Sequence, residues 1–238
     1  NAALLERALP PDIAGAVERM HRAKGVDVRL GARVSALVPA AGRRAVAAVA
    51  LADGTELPAD LVVIGIGIIP NTELAEMAGA ASADGVVTDE FGRSSVPGVW
   101  AAGDVTSHWN PLLERRVRLE SWQNAQNQAI AVANNIAGKA SPYAEVPWFW
   151  SDQHGVNIQM AGLASPGTRT VWRGDPAKGR ALAFSLSGAR LVCATGFDAG
   201  ADIRLARRLI ESRAPVSDAA LADPARKLKD LAVERAAA

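Results

Sequence analysis

One decapeptide constrains this chain more than any other stretch: Val96-Pro97-Gly98-Val99-Trp100-Ala101-Ala102-Gly103-Asp104-Val105. Pro97 and Gly98 punctuate its start. Val99 to Ala102 are all apolar, the pattern of a short strand covered on both faces. Ala101, Ala102 and Gly103 are small and let a bulky group lie close to the backbone. Asp104 then sets an acceptor-only carboxylate at the strand's carboxyl end, where ligands bind in open α/β sheets. It suits a ligand rich in hydroxyl groups, such as a sugar or a ribityl chain. Taken alone, the decapeptide fits a buried strand closed by an Asx-type turn equally well.

The remaining sequence narrows the choice. Its 238 residues suffice for one large or two ordinary domains. With 26 basic against 25 acidic residues, charge gives no case for nucleic acid or an anionic membrane. No apolar run is long enough to cross a bilayer, and the richest, Leu57 to Ile69, is interrupted by Asp60. Asn1 to Arg7 lacks the order of a secretory signal. The single Cys193 excludes an internal disulfide and a Cys-x-x-Cys pair. A cytoplasmic chain is the expectation, and the non-Met start suggests part of a longer one.

Pro10 and Pro11 open an amphipathic helix with Ile13, Val17 and Met20 on one face, stopped by Gly25. Val26 to Leu30 alternates as a strand. Val34 to Val38 and Ala45 to Ala52 predict a hairpin, and Asp53-Gly54 turns the chain towards Thr55 to Leu57. Asp60 to Gly65 has the pattern of a buried parallel strand, followed by the bare turn Gly65-Ile66-Gly67-Ile68-Ile69-Pro70-Asn71. Thr72 can cap a short helix, Glu73 to Met77. Thr106 to Pro111 is expected as a polar loop in which His108 faces solvent rather than carrying a proton. Ser121 is a fitting N-cap for a helix reaching about Ala137, with Ala125, Ala129, Val132, Ala133 and Ile136 on one face. Trp148-Phe149-Trp150 clusters aromatics in a chain that has few. From Val156 onward, short β runs and two helices, Ala201 to Ser212 and Pro224 to Val233, predict an antiparallel α+β module.

Three signatures together carry a family resemblance. Ser94-x-x-x-x-Val99-Trp100-Ala101-Ala102-Gly103-Asp104 resembles the second FAD motif of two-dinucleotide-domain flavoprotein reductases, with Ser94 in place of the usual Thr. Glu120-Ser121-Trp122-x-Asn124-Ala125 is similar to that family's Glu-(Ser/Thr)-Trp-x-Asn-Ala. Pro147-x-Phe149-Trp150-Ser151-Asp152-Gln153 resembles a segment of the ferredoxin reductases of oxygenase systems. The order helix, strand, meander, strand, Gly-x-Gly-x-x-Pro-Asn resembles the second half of the same enzymes' NAD domain.

The resemblance implies an α/β fold: the second half of a two-dinucleotide-domain (FAD/NAD) reductase, followed by a small antiparallel α+β domain. Its boundaries would be 1–72 for the NAD half, 73–147 for the FAD segment and 148–238 for the C-terminal domain. It implies FAD and NADH as cofactors and a ferredoxin as electron acceptor. Asp104, flanked by Gly103 and Val105, would hold the ribityl chain. Ser121, Trp122 and Ala125 would start a helix aimed at the flavin's N1–C2=O edge. Gly65, Ile66 and Gly67 would pass near the nicotinamide, and Glu120 would contact its amide. Trp150 would stand between flavin and surface, rimmed by Arg115, Arg116, Arg204, Arg207 and Arg208. No catalytic side chain and no metal ligand is expected, and a monomer or weak homodimer is. The sequence departs from the family in lacking both Gly-x-Gly-x-x-Gly loops, so the chain alone is expected to bind FAD and NADH poorly. Rubredoxin reductases, nitrite reductase flavin domains and a truncated docking module are the alternatives.

Overall fold

A computed structural model describes residues 3–6, 8–42 and 45–233. The chain divides into two compact units, Asn1–Ile68 and Ile69–Ala238.

In the first unit, Pro11 stands at the start of α1 (Pro11–Ala23), whose Ile13, Ala14, Ala16 and Val17 are buried. His21 and Arg22 occupy its last turn, where cations suit the helix dipole, and Gly25 turns the chain away at φ +85°. β1 (Val34–Pro39), β2 (Val46–Leu51) and β3 (Glu56–Pro58) form an antiparallel meander in that order. The expected hairpin therefore forms, although part of its turn, 43–44, lies outside the described residues. At the second turn Asp53 accepts the Thr55 N–H at 2.9 Å, and Gly54 takes φ +88°.

Two expectations fail here. Val26 to Leu30 and Asp60 to Gly65 join no ladder among the described residues. The second was expected to be buried, yet Leu61, Val63 and Ile64 are 81%, 85% and 67% exposed. A strand of parallel type needs neighbours beside it and helices over both faces. The meander and α1 supply neither to this stretch.

In the second unit, α2 (Glu73–Met77) is followed by a sheet of β4 (Val86–Thr88), β5 (Thr106–Asn110) and β6 (Arg115–Val117). β4 and β5 are parallel, and β5 and β6 antiparallel. The Thr72 hydroxyl bonds the Glu76 carboxylate at 2.7 Å instead of capping the α2 backbone. Val99 to Ala102 is not the expected buried strand: it is half-buried and irregular, with one bridge between Arg93 and Trp100. The ladder begins at Thr106, so the expected polar loop is β5 itself, with Thr106, Ser107, His108 and Asn110 buried. α3 (Trp122–Ile136) follows as expected, but its buried face is Asn124, Gln128, Val132 and Asn135, while Ile136 is exposed.

The C-terminal part is a five-stranded antiparallel sheet: β7 (Trp148–Gln153), β8 (Val156–Gly162), β9 (Arg169–Arg173), β10 (Ala181–Ser187) and β11 (Arg190–Phe197), in the order β7-β8-β11-β10-β9. α4 (Gly200–Ser212) lays Ile203, Ala206, Leu209 and Ile210 against it, and α5 (Asp218–Ala222) and α6 (Leu228–Val233) complete the cover. Phe184, Ile203, Leu221 and Leu228 share one buried cluster. The Arg173 guanidinium closes the end of α5 by donating to the carbonyls of Ala220, Leu221 and Arg226. Gly162 has φ +80°, and a side chain there would strike the Val192 carbonyl. Among the described residues no helix is long and apolar enough to cross a membrane.

Candidate functional site

The Gly103-Asp104-Val105 turn lies directly before β5. Gly103 is buried at φ +81°, and a side chain there would meet Ala125 of α3 at 3.6 Å. The turn therefore approaches the first turn of α3 closely because Gly103 and Ala125 are both small. The Gly103 carbonyl accepts the Thr106 N–H at 2.9 Å, and its own N–H donates to the Gln128 carboxamide oxygen at 2.8 Å. Asp104 is left exposed at the tip.

Ser121 caps α3 as expected: its hydroxyl accepts the Asn124 N–H at 3.3 Å. No acidic residue stands in the first turn of α3. Glu120 precedes it, paired with Arg118 at 2.6 Å, and Arg118 also reaches Asp84 at 2.9 Å.

Three indoles meet beside this helix start. Trp122 is 68% exposed and meets Trp150 edge-on, with ring centres 6.2 Å apart. Trp150, 36% exposed, stacks on Trp148 at 4.9 Å. β7 brings Trp148 and Trp150 to the same side because alternate residues of a strand share a face. Ser121, Trp122 and Trp150 are thus one patch, with the Gly103–Asp104 turn seated on Ala125 of the same helix. Gly65, Ile66 and Gly67 belong to the first unit; Ile66 is 90% exposed, and Gly67 takes φ +100°.

Beneath this surface the packing is polar. Asn124 donates to the Leu119 carbonyl at 3.2 Å and accepts the Tyr143 hydroxyl at 3.1 Å. Tyr143 lies 5.5 Å from His108, ring centre to ring centre. His108 does not face solvent as expected; it is 1% exposed in β5. Burial, helped by the Arg116 charge, pushes its imidazole down to about 4. Arg116 donates to the carbonyls of Thr88 and Ser107. Arg207 pairs with Glu145 and Glu211, whereas Arg204 and Arg208 are exposed. The Cys193 thiol is buried and pushed up to about 12 by that burial, so it is no nucleophile.

The sequence signatures assign no role to Gln128 or Asn135 and give Asn124 no part in a buried face. The signal was present in the helical spacing of Asn124, Gln128 and Asn135, which puts three carboxamides on one face with Val132.

Residues 1–129 match the family model described as pyridine nucleotide-disulphide oxidoreductase, and residues 148–232 match one described as reductase C-terminal. The chain belongs to the pyridine nucleotide-disulphide oxidoreductase family. It is 44% identical over 229 residues to the ferredoxin–NAD(+) reductase component of the anthranilate 1,2-dioxygenase system of Burkholderia cepacia, covering 96% of this chain and 56% of that protein. The covalent putidaredoxin reductase–putidaredoxin complex matches with TM-score 0.94 and 36% identity over 100% of this chain and 57% of that one. The ferredoxin reductase of the CYP199A2 system from Rhodopseudomonas palustris matches with TM-score 0.90 and 33% identity, over 97% of this chain and 56% of that one. The chain thus spans about half the length of these relatives.

Proposed function

We propose that this chain supplies the flavin-edge and partner-facing half of an NADH-dependent ferredoxin reductase. The observation that carries the reading is the Gly103–Asp104 turn packed on the first turn of α3, on the helix whose Trp122 meets Trp150. Asp104 offers an exposed acceptor-only carboxylate, which fits the hydroxyls of a ribityl chain. The start of α3, with no acid in its first turn, offers N–H groups and the positive end of a helix dipole. That fits an electron-rich ring edge. The donor set therefore fits FAD, whose chemistry when bound is to take a hydride and release single electrons.

In this reading Gly103, Asp104 and Val105 hold the ribityl side. Ser121, Trp122 and Ala125 face the ring edge and Glu120 serves the nicotinamide; in the first unit, taken by itself, Gly65, Ile66 and Gly67 form a bare turn suited to a nucleotide. Trp150 covers the site on the side towards an iron–sulfur protein. The matching domain limits are 1–72, 73–147 and 148–238, and the setting is the cytoplasm. Arg204 and Arg208 are the rim cations left exposed for an acidic partner, which would speed encounter at low salt. Arg116 and Arg207 are engaged inside the unit.

The test joins this chain to an upstream half that supplies the two phosphate-cradling loops. Asp104→Ala should lower flavin content on purification; a full complement that survives dialysis would refute the role. In the same background Trp150→Ala should slow ferredoxin-linked cytochrome reduction several-fold and leave NADH-dependent ferricyanide reduction intact. Equal losses in both assays would place Trp150 in the flavin pocket instead.

A further inference from the structure

We propose that Gln128 is a positioning residue: it fixes the Gly103–Asp104 turn against α3, and so sets where the Asp104 carboxylate stands relative to the helix start. The proposal rests on the flavin reading of Asp104 given above. Gln128 is 1% exposed, and a side chain so buried would gain more by being apolar unless its amide has work to do. Its carboxamide oxygen accepts the Gly103 N–H at 2.8 Å and lies 3.0 Å from the Thr106 hydroxyl. The Thr106 hydroxyl also reaches the Gly103 carbonyl at 2.8 Å, so the α3 atom ties the turn through the Gly103 N–H and lies against its far end at Thr106.

The turn needs such a tie. Glycine enters many backbone conformations freely, so Gly103 at φ +81° does not choose its own geometry. Its N–H is buried and would be an unpaired donor without Gln128. Asn124, one turn earlier on the same face, makes the corresponding contact with the other flank: it donates to the Leu119 carbonyl and is held by Tyr143. A single helix face therefore registers the Asp104 turn and the segment leading to Glu120. Sites held this way keep their geometry because the supporting side chains are themselves fixed.

Hydrogen exchange on the 238-residue chain decides the point. Gln128→Leu keeps the bulk and removes the acceptor. Amides of residues 101–106 should then exchange about three- to tenfold faster, the range expected for one lost hydrogen bond. Those of β8, β10 and β11 should not change. Gln128→Asn draws the amide back by one methylene and gives the same reading as leucine should the leucine variant not fold. Unchanged exchange at Gly103, or faster exchange throughout the unit, would overturn the proposal.

FAD uptake by the same variants, each joined to the upstream half that supplies the phosphate-cradling loops, separates this claim from the one it rests on. Asp104→Ala and Gln128→Leu should both weaken uptake. A loss in Asp104→Ala alone overturns the positioning role. Wild-type uptake in Asp104→Ala sinks the flavin reading and leaves the tie to be judged by exchange.

Discussion

The C-terminal sheet and the stretch from Leu61 to Ile69 use the same kinds of residue to opposite effect. Phe184, Ile203 and Ala161 are fully buried, whereas Val63, Ile66 and Ile69 are 85%, 90% and 89% exposed. The difference lies in where each element finds its partners. β7 to β11 pair through antiparallel neighbours, three of the four pairs between consecutive strands, and α4 follows at once to cover them. Leu61 to Ile69 has the composition of a strand covered on both faces, and the described residues of its unit offer no strand beside it. Apolar character thus marks which segments must be buried, and topology decides whether this chain can do it.

The largest expected effect tests that contrast directly. Phe184→Ala should cost about 3–5 kcal/mol, because it opens a cavity in a close-packed sheet. Ile66→Ala should change stability by no more than about 0.5 kcal/mol, the usual range for an exposed site. Urea unfolding followed on the first unit for Ile66→Ala and on the second unit for Phe184→Ala measures both. A large loss for Ile66→Ala would mean that the stretch is covered in solution, and the contrast would collapse.

Between these extremes lies the small β4-β5-β6 sheet, and here the sequence was hardest to read. The hairpins, α1, α3 and the C-terminal module were legible because each has local periodicity and turn chemistry of its own. β5 was not. Its Thr106, Ser107, His108 and Asn110 look like a loop by composition, and they are buried only because other elements pair with them. Asn110 donates to the Glu145 carbonyl, a residue 35 positions away, and the Thr106 hydroxyl lies at Gln128. Likewise α3 buries carboxamides rather than its alanines, since it packs on polar strand and turn groups. Of the candidate site, Gly103, Asp104, Ser121, Trp122 and Trp150 could be chosen in sequence by resemblance. The side chains that hold them in place could not, because their roles depend on long-range contacts.

The polar sheet gives the next largest effect, and it depends on pH. His108 is neutral when folded, its imidazole pushed from 6.5 down to about 4 by burial and by Arg116. In the unfolded chain it takes a proton below about 6.5. The unfolded state therefore binds more protons between those values, so stability is full above pH 6.5 and falls as pH drops towards 4. The loss approaches at most about 3 kcal/mol, because each tenfold difference in proton affinity between the folded and unfolded chain is worth about 1.4 kcal/mol. Denaturation midpoints at pH 7 and pH 4.5 should differ less in His108→Phe than in the parent chain. An equal difference in both would move the pH sensitivity elsewhere.

The smallest expected effect compares two helix starts. α4 has no side-chain cap and stands on packing, with Ile203 and Ala206 buried beneath it. α3 begins at an exposed Trp122 and leans on the Ser121 hydroxyl, which accepts the Asn124 N–H. Removing that hydroxyl should therefore show. Ser121→Ala should cost about 1 kcal/mol, and Ser121→Gly only a few tenths, since glycine exposes the same N–H to water. The loss should concentrate at the first turn of α3, where amides of residues 122–125 would exchange faster while those of α4 would not. Equal cost for alanine and glycine would mean that backbone contacts already hold the α3 start. The Ala125 N–H bonded to the Ser121 carbonyl would then be the contact that matters.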